Sequence, residues 1–331
     1  MSPKALAVAG LLALTSSRLT TCRSPGEGGG DATQPQSQKT VEIKGVDASA
    51  LTARERTEWS DEVSHLLSPC PDQAVPLAQC VNENRPCRAC APAVRYLLEQ
   101  VQRGKTRSQM ESAYRERFAP DQVKNIDLAD TPSQGPADAP IVIVEFADFE
   151  CPACGAMRPV LEEVIGEHRD KIRFFFKHFP LGMHQNAEKA ARAAVAAMKQ
   201  GKFWEMHHVL FENQTALSSE NMEKLAQGLG LDMARFRQDR DSEATADFVA
   251  KNRKQGEVLN LSGTPSIFIN GRKFGNGGGE PKQDLEEWIT LELELQGGPV
   301  TAKPAQNAAP APSAAPSPSA AAPGASAART P

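Results

Sequence analysis

Cys151-Pro152-Ala153-Cys154 is the stretch whose residue types and spacing most directly specify chemistry. Cysteines three positions apart can close a small disulfide without moving the backbone. They can also exchange it: one thiolate attacks a foreign disulfide, a mixed disulfide forms, and the second thiol releases it. The flanking sequence favours that use. Pro140-Ile141-Val142-Ile143-Val144-Glu145-Phe146 is an almost continuous apolar run, as in a strand buried on both faces. Behind the motif, Met157, Val160, Leu161, Val164 and Ile165 recur at helical spacing. The motif therefore falls at a strand-to-helix junction, where free N–H groups and the helix dipole favour a thiolate at Cys151. Pro152 suits the first helical position, where its missing N–H costs nothing. Cys151 is expected as the exposed nucleophile and Cys154, one turn inward, as the resolving thiol.

Separated features further along the chain accompany the motif. Gly135 to Pro140 leads into the first strand, and Pro159 falls eight residues after Cys151. Lys177-His178-Phe179-Pro180-Leu181 closes a second strand, Ile172 to Phe176, and Gly263-Thr264-Pro265 precedes a third, Ser266 to Asn270. Over about Gly135 to Gln296 the chain resembles the DsbA-like thiol-disulfide oxidoreductases of the thioredoxin superfamily. The resemblance implies an α/β thioredoxin fold, a central mixed sheet flanked by helices, with a helical insertion at about 185–261. It also implies a cis bond before Pro265, tolerable at small cost, with the Thr264 backbone exposed to pair with a partner's chain.

Glu145 is the one charge in its apolar strand, six residues before Cys151. The resemblance implies a buried acid beneath Cys154, with a pKa raised by desolvation, that accepts the thiol's proton. The competing reading is a surface glutamate. Asp148 and Glu150 read as solvated loop residues. Pro152-Ala153 lacks the histidine that the resemblance associates with the strongest oxidants, so a milder potential is expected, with oxidation favoured over reduction or isomerisation.

The insertion reads as helical throughout. Ala187 to Lys199 is alanine-rich, Phe203 to Phe211 has apolar residues at helical spacing, and Ser218-Ser219 can cap the next helix. Met222 to Leu229, Met233 to Phe236 and Phe248 to Leu259 supply further helical pieces.

Upstream, Cys70, Cys80, Cys87 and Cys90 lie within 21 residues, in a small helical domain expected over 41–130 that precedes the thioredoxin domain at 131–296. Three readings stand: two structural disulfides stapling an exported domain, a redox-active Cys87-Arg88-Ala89-Cys90, or a tetrathiolate zinc site. After these cysteines, Val94, Leu97, Leu98 and Val101 form an apolar stripe, Gly104 breaks it, and Ser108-x-x-Glu111 reads as a capping box. Cys87 to Phe118 is loosely similar to the small helical thiol-reductase domain of cytochrome c maturation, which also sets Cys-x-x-Cys before a hairpin. Glu42 to Glu62 is a further helix candidate. Basic residues from Arg95 to Arg117 read as a solvated face.

The six histidines suggest no metal site: His207 and His208 are adjacent and should face different ways, and His184 stands alone. Gly275-Asn276-Gly277-Gly278-Gly279 lacks a following Gly-Lys-Ser/Thr and reads as a turn.

The N-terminal end of the chain reads as a targeting signal. Lys4 followed by Ala5 to Leu14 reads as a signal peptide over 1–21. Leu19-Thr20-Thr21-Cys22 resembles a bacterial lipobox, which implies lipidation at Cys22; Thr21 and the intruding Arg18 depart from the pattern, and the other reading is an ordinary signal with an incidental cysteine. Cleavage before Cys22 leaves an even six cysteines for an oxidising compartment and, by removing Lys4 and Arg18, takes the net charge from −4 to −6. Residues 22–40 read as a flexible tether. Gly297 to Pro331, with 13 alanines and 8 prolines, reads as a disordered tail.

The 331 residues suffice for about two domains. Aromatics at 5% and a net charge of −4 argue against nucleic acid as a partner. No run of eighteen apolar residues spans a membrane. The sequence thus points to an exported, lipid-anchored protein on the periplasmic side of a bacterial membrane. It would exchange disulfides with cysteine-containing exported proteins and be recycled by a membrane redox partner, without organic cofactor or metal. The rival is a non-catalytic binding or assembly lipoprotein in which Cys151–Cys154 is structural. An internal relay from Cys87/Cys90 to Cys151/Cys154 is a further reading.

Overall fold

In the computed structural model, residues 40–275 and 279–296 are described. The expected signal peptide, Cys22, the tether as far as residue 39, the tail 297–331 and the middle of the Gly275–Gly279 turn lie outside them.

The apolar runs become a five-stranded mixed sheet: β1 (Ser133–Gln134), β2 (Ile141–Ala147), β3 (Ile172–His178), β4 (Ser266–Ile269) and β5 (Arg272–Lys273), in the order β1-β3-β2-β4-β5. The central β2 runs parallel to β3, pairing Ile141 with Ile172 and Ala147 with His178, and antiparallel to β4, pairing Glu145 with Ile267. Side chains alternate across the sheet. Ile141, Ile143 and Ala147 join one core with Leu161, Val164 and Ile289. Val144 and Phe146 join another with Ile126, Phe175 and Phe268. Because both faces are covered, β2 can be apolar at nearly every position. Glu145 shares the parity of Ile143 and Ala147, so it faces the helix that carries the cysteines. At the sheet edge Gly135 (φ 94°) is required: a Cβ there would lie 2.1 Å from the Ile172 carbonyl oxygen.

Upstream of the sheet lie α1 (Ala53–His65), α2 (Leu77–Asn82), α3 (Cys90–Gln102) and α4 (Arg107–Phe118). Two disulfides, Cys70–Cys87 and Cys80–Cys90, staple them. Trp59, Val63, Leu77, Leu97 and Met110 fill their core, and Val94 and Val101 of the expected stripe are buried there. Two helix starts differ from expectation. The capping box of α4 is Thr106 with Gln109, not Ser108 with Glu111, because left-handed Gly104 ends α3 and the chain is already extended at Thr106. The helix sought in Glu42 to Glu62 begins only at Ala53, where Thr52 and Glu55 form a capping box.

α5 (Pro152–Glu167), with Pro159 inside it, follows β2. Between β3 and β4 stand the insertion helices α6 (Ala187–Met198), α7 (Phe203–Glu212), α8 (Ser219–Gly228), α9 (Met233–Asp241) and α10 (Glu243–Val258). Ser218 caps α8 as expected. The final helix, α11 (Pro281–Gln296), lies between the two parts: Leu285 and Ile289 enter the sheet core, while Leu291 and Leu295 pack against the upstream one. Arg117 is not part of a solvated face. It is 1% exposed, bonded to Glu292 at 2.6 Å and stacked over the Trp288 ring at 4.4 Å. Among the described residues no helix is long and apolar enough to cross a membrane.

Candidate active site

Cys151 is the N-cap of α5, with extended backbone, and Cys154 lies within the first turn. Both thiols are unpaired. The Cys151 Sγ–H donates to the Thr264 carbonyl oxygen at 3.3 Å, and the Thr264–Pro265 bond is cis. The strand carrying Glu145, the helix start that follows it and the loop before β4, over a hundred residues further on, therefore converge on one pair of sulfurs. Cys151 is less open than expected, at 7% exposed, and Cys154 is fully buried.

Electrostatics separates the two sulfurs. Burial pushes the Cys154 thiol well above its ordinary range, and the neighbouring Glu145 carboxylate pushes it the same way. Burial pushes Glu145 up to about 8, so near neutrality this carboxyl holds a proton it can give or take back. The surface reading of Glu145 fails, since the residue is 3% exposed.

Asp148 is buried and Glu150 half-buried, and both are tied into hydrogen bonds. Asp148, at 2% exposed, pairs with His184 Nδ1 at 2.7 Å and accepts from the Leu181 and Glu150 backbone N–H groups at 2.9 and 2.8 Å. Glu150 accepts from the backbone and side-chain nitrogens of Asn186. Together these acids clamp segment 181–186 onto the loop that delivers Cys151. His184 therefore has a partner that its isolation in sequence did not reveal.

Gln214, between α7 and α8, escaped the sequence reading. Its Nε2 donates to the carbonyls of both Phe149 and Cys151 at 2.8 Å. A Cβ on Gly155 would meet Gln214 Oε1 at 2.5 Å, which explains a glycine inside a helix where it weakens the structure. That glycine was the available signal.

Beneath the site, His178 lies among the rings of Phe149, Phe176 and Phe203. Burial lowers it to about 3, so it stays neutral. Burial likewise lowers Lys177 to about 8 and holds His207 well below its ordinary value. His207 and His208 do not diverge as expected: their ring nitrogens gather with a Glu162 oxygen. Glu145 borders the same small cavity. The sulfurs of Cys80, Cys87 and Cys90 also lie close together, but disulfide bonding consumes them and leaves no thiolate set for zinc.

A family model described as thioredoxin matches residues 127–290. That stretch has the thioredoxin fold, a mixed sheet flanked by helices. Five helices are inserted between β3 and β4 of that stretch, and the upstream helices precede it. Curated relatives include the Na(+)/H(+) antiporter NhaA 3 of Salinispora tropica, 39% identical over 141 residues, 42% of this chain and 22% of that protein. The Na(+)/H(+) antiporter NhaA 1 of Mycolicibacterium vanbaalenii is 40% identical over 141 residues, 42% and 23% of the two chains. This chain thus spans about a fifth of the length of the curated relatives it matches. Among solved structures, oxidised BdbD from Bacillus subtilis is 25% identical with a TM-score of 0.44, covering 50% of this chain and 93% of that one. The thiol-disulfide exchange protein alpha-DsbA2 from Wolbachia pipientis is 20% identical with a TM-score of 0.44, covering 55% and 93%.

Proposed function

We propose that this protein is an exported thiol-disulfide oxidoreductase that passes the Cys151–Cys154 disulfide to cysteines of other exported proteins. The observation that carries the reading is the Cys151 sulfur at the start of α5, held against the Thr264 carbonyl, with Cys154 buried behind it. A substrate thiolate attacks Cys151 Sγ and breaks the internal bond. Cys154 leaves and takes the proton held by Glu145. A second substrate thiolate then attacks the substrate sulfur of the mixed disulfide and expels the Cys151 thiolate. The substrate loses two electrons and the motif gains them.

In this reading Thr264 and Pro265 receive the partner's extended backbone. A lipid on Cys22 holds the enzyme at the periplasmic side of the membrane, and a membrane redox partner withdraws the electrons. The reaction needs only sulfur and proton transfer, so no organic cofactor enters it.

The test is the reduction potential of the motif in the full chain, measured by alkylation in thiol buffers. A value above about −200 mV fits an oxidant, and one near −250 mV or lower reverses the proposed direction. Oxidative refolding of a reduced substrate protein completes the test. Activity unchanged by Cys151→Ser would replace an exchange enzyme with the binding lipoprotein.

A further inference from the structure

Glu162 on α5 and His207 and His208 on α7 each present one ligand-type atom, all within 4.8 Å of one another. The spacing of one pair is already that of a bound ion. His208 Nε2 lies 3.5 Å from Glu162 Oε1. Two ligands about 2.0–2.1 Å from zinc at the tetrahedral angle stand roughly 3.4 Å apart.

A second observation points to a ligand. His207 is 4% exposed, it borders the cavity shared with Glu162 and His208, and its Nδ1 has no hydrogen-bond partner among the described residues. A buried ring nitrogen without a partner is costly, and native structures rarely leave one without a reason. The cavity has about 20 Å³ of room, enough for one water as a fourth ligand. Arg158 Nη1 donates to both Glu162 oxygens, at 3.0 and 3.3 Å. That is the kind of outer hydrogen bond that orients a ligating carboxylate.

We propose that Glu162, His207 and His208 form a binding site for one divalent first-row ion of the zinc type, with one position left to water. Two imidazoles and a carboxylate suit a borderline ion and not magnesium or calcium, which prefer all-oxygen sets. The ion joins α5, which carries the cysteines, to α7 of the insertion. It binds without sulfur, so it is separable from any metal captured by reduced Cys151 and Cys154.

The test uses the untagged full chain with Cys151 and Cys154 oxidised to a disulfide, which removes the competing thiolates. Equilibrium dialysis against Zn²⁺ and against Mg²⁺ is followed by metal analysis. Co²⁺ substitution then reports ligand type through its visible absorption. The expected result is about one equivalent of Zn²⁺ and no Mg²⁺, with a tetrahedral Co²⁺ spectrum free of sulfur charge transfer. Glu162→Gln and His208→Ala should each weaken Zn²⁺ binding about tenfold or more. Both side chains reach solvent, at 37% and 44% exposed, so these variants should keep the fold, and circular dichroism checks that they do. Absence of Zn²⁺ uptake by the oxidised chain, or binding unchanged in both folded variants, overturns the site and leaves an adventitious ion only.

Discussion

Cys87-Arg88-Ala89-Cys90 and Cys151-Pro152-Ala153-Cys154 share spacing and even their third residue, and each runs into a helix. Their sulfurs nevertheless end differently. In the first pair α3 begins at Cys90 itself, so Cys87 lies outside the helix, and each cysteine is bonded to one further upstream. In the second, Cys151 is the cap of α5 and Cys154 sits in its first turn, so both sulfurs stay unpaired, beside the Thr264 loop and Glu145. Where the helix starts relative to the motif, and which other sulfurs lie within reach, decide whether the same four-residue spacing yields a staple or an exchangeable pair.

The largest effect should come from Cys151→Ser. Disulfide exchange with a small thiol substrate should fall on the order of 10³-fold or more, as expected when the attacked atom of a concerted unit is removed. The paired control, Cys70→Ser with Cys87→Ser, should leave exchange within about twofold at a temperature where the variant is folded. A folded double variant that loses exchange as severely as Cys151→Ser breaks the contrast and brings the upstream cysteines into the reaction.

Glu145→Gln sharpens the contrast, because Glu145 acts directly on Cys154 of the exchangeable pair. The step in which Cys154 leaves draws on protonated Glu145, so its rate should fall as pH rises through about 8. The reverse step, which needs the carboxylate, should rise through the same pH. The glutamine variant should flatten both profiles and slow the step by about 10². Stability gives an independent reading. The folded pKa is raised, so folding favours the protonated acid. Its contribution is complete below the unfolded value of about 4.3 and is lost as pH climbs to about 8. Glu145→Gln should therefore be most stabilising above pH 8, by about 3–5 kcal/mol. Denaturant titrations at pH 5 and pH 9 measure this, and an equal effect at both sinks it.

For the upstream staples, removing Cys70–Cys87 should cost about 3 kcal/mol, as for a loop of roughly 15 residues. Urea unfolding of the double serine variant reads this directly. A loss well below 1 kcal/mol would mean that the helices there hold without the staple.

How much the sequence could reveal follows the distance over which each feature is fixed. β2 and the start of α5 were legible because local periodicity and local residue chemistry determine them, whereas the cis bond before Pro265 was legible only through the resemblance. Glu145 stood out as the one charge in an apolar strand, and its burial beneath Cys154 was what the resemblance implied. Asp148, Glu150, Gln214 and the Glu162–His207–His208 group were not. Their partners lie tens of residues away, on segment 181–186 for the two acids, at the start of α5 for Gln214, and across α5 and α7 for the last group. Arg117 misled for the same reason: its charge looked solvated until α11 brought Glu292 and Trp288 to it. The capping box of α4 forms two residues before the expected one, because the left-handed turn at Gly104 already leaves the chain extended at Thr106.

The smallest effect tests how the insertion supports the exchangeable pair. Gln214 holds the carbonyls of Phe149 and Cys151 from outside the thioredoxin core, and Gly155 leaves it the room to do so. Gln214→Ala removes two hydrogen bonds, each worth about 1 kcal/mol net, from a loop still anchored by Asp148 and Glu150. Exchange should slow only a few-fold, because the Cys151 backbone is loosened and not displaced. Gly155→Ala drives a methyl group into the same amide and must push it aside, so it should reproduce the Gln214→Ala phenotype. In the combined variant the two effects should not add, since the second change removes an interaction already broken. Additive losses in that cycle, read from exchange rates at fixed pH, would mean that Gly155 serves the packing of α5 and not the seat of Gln214.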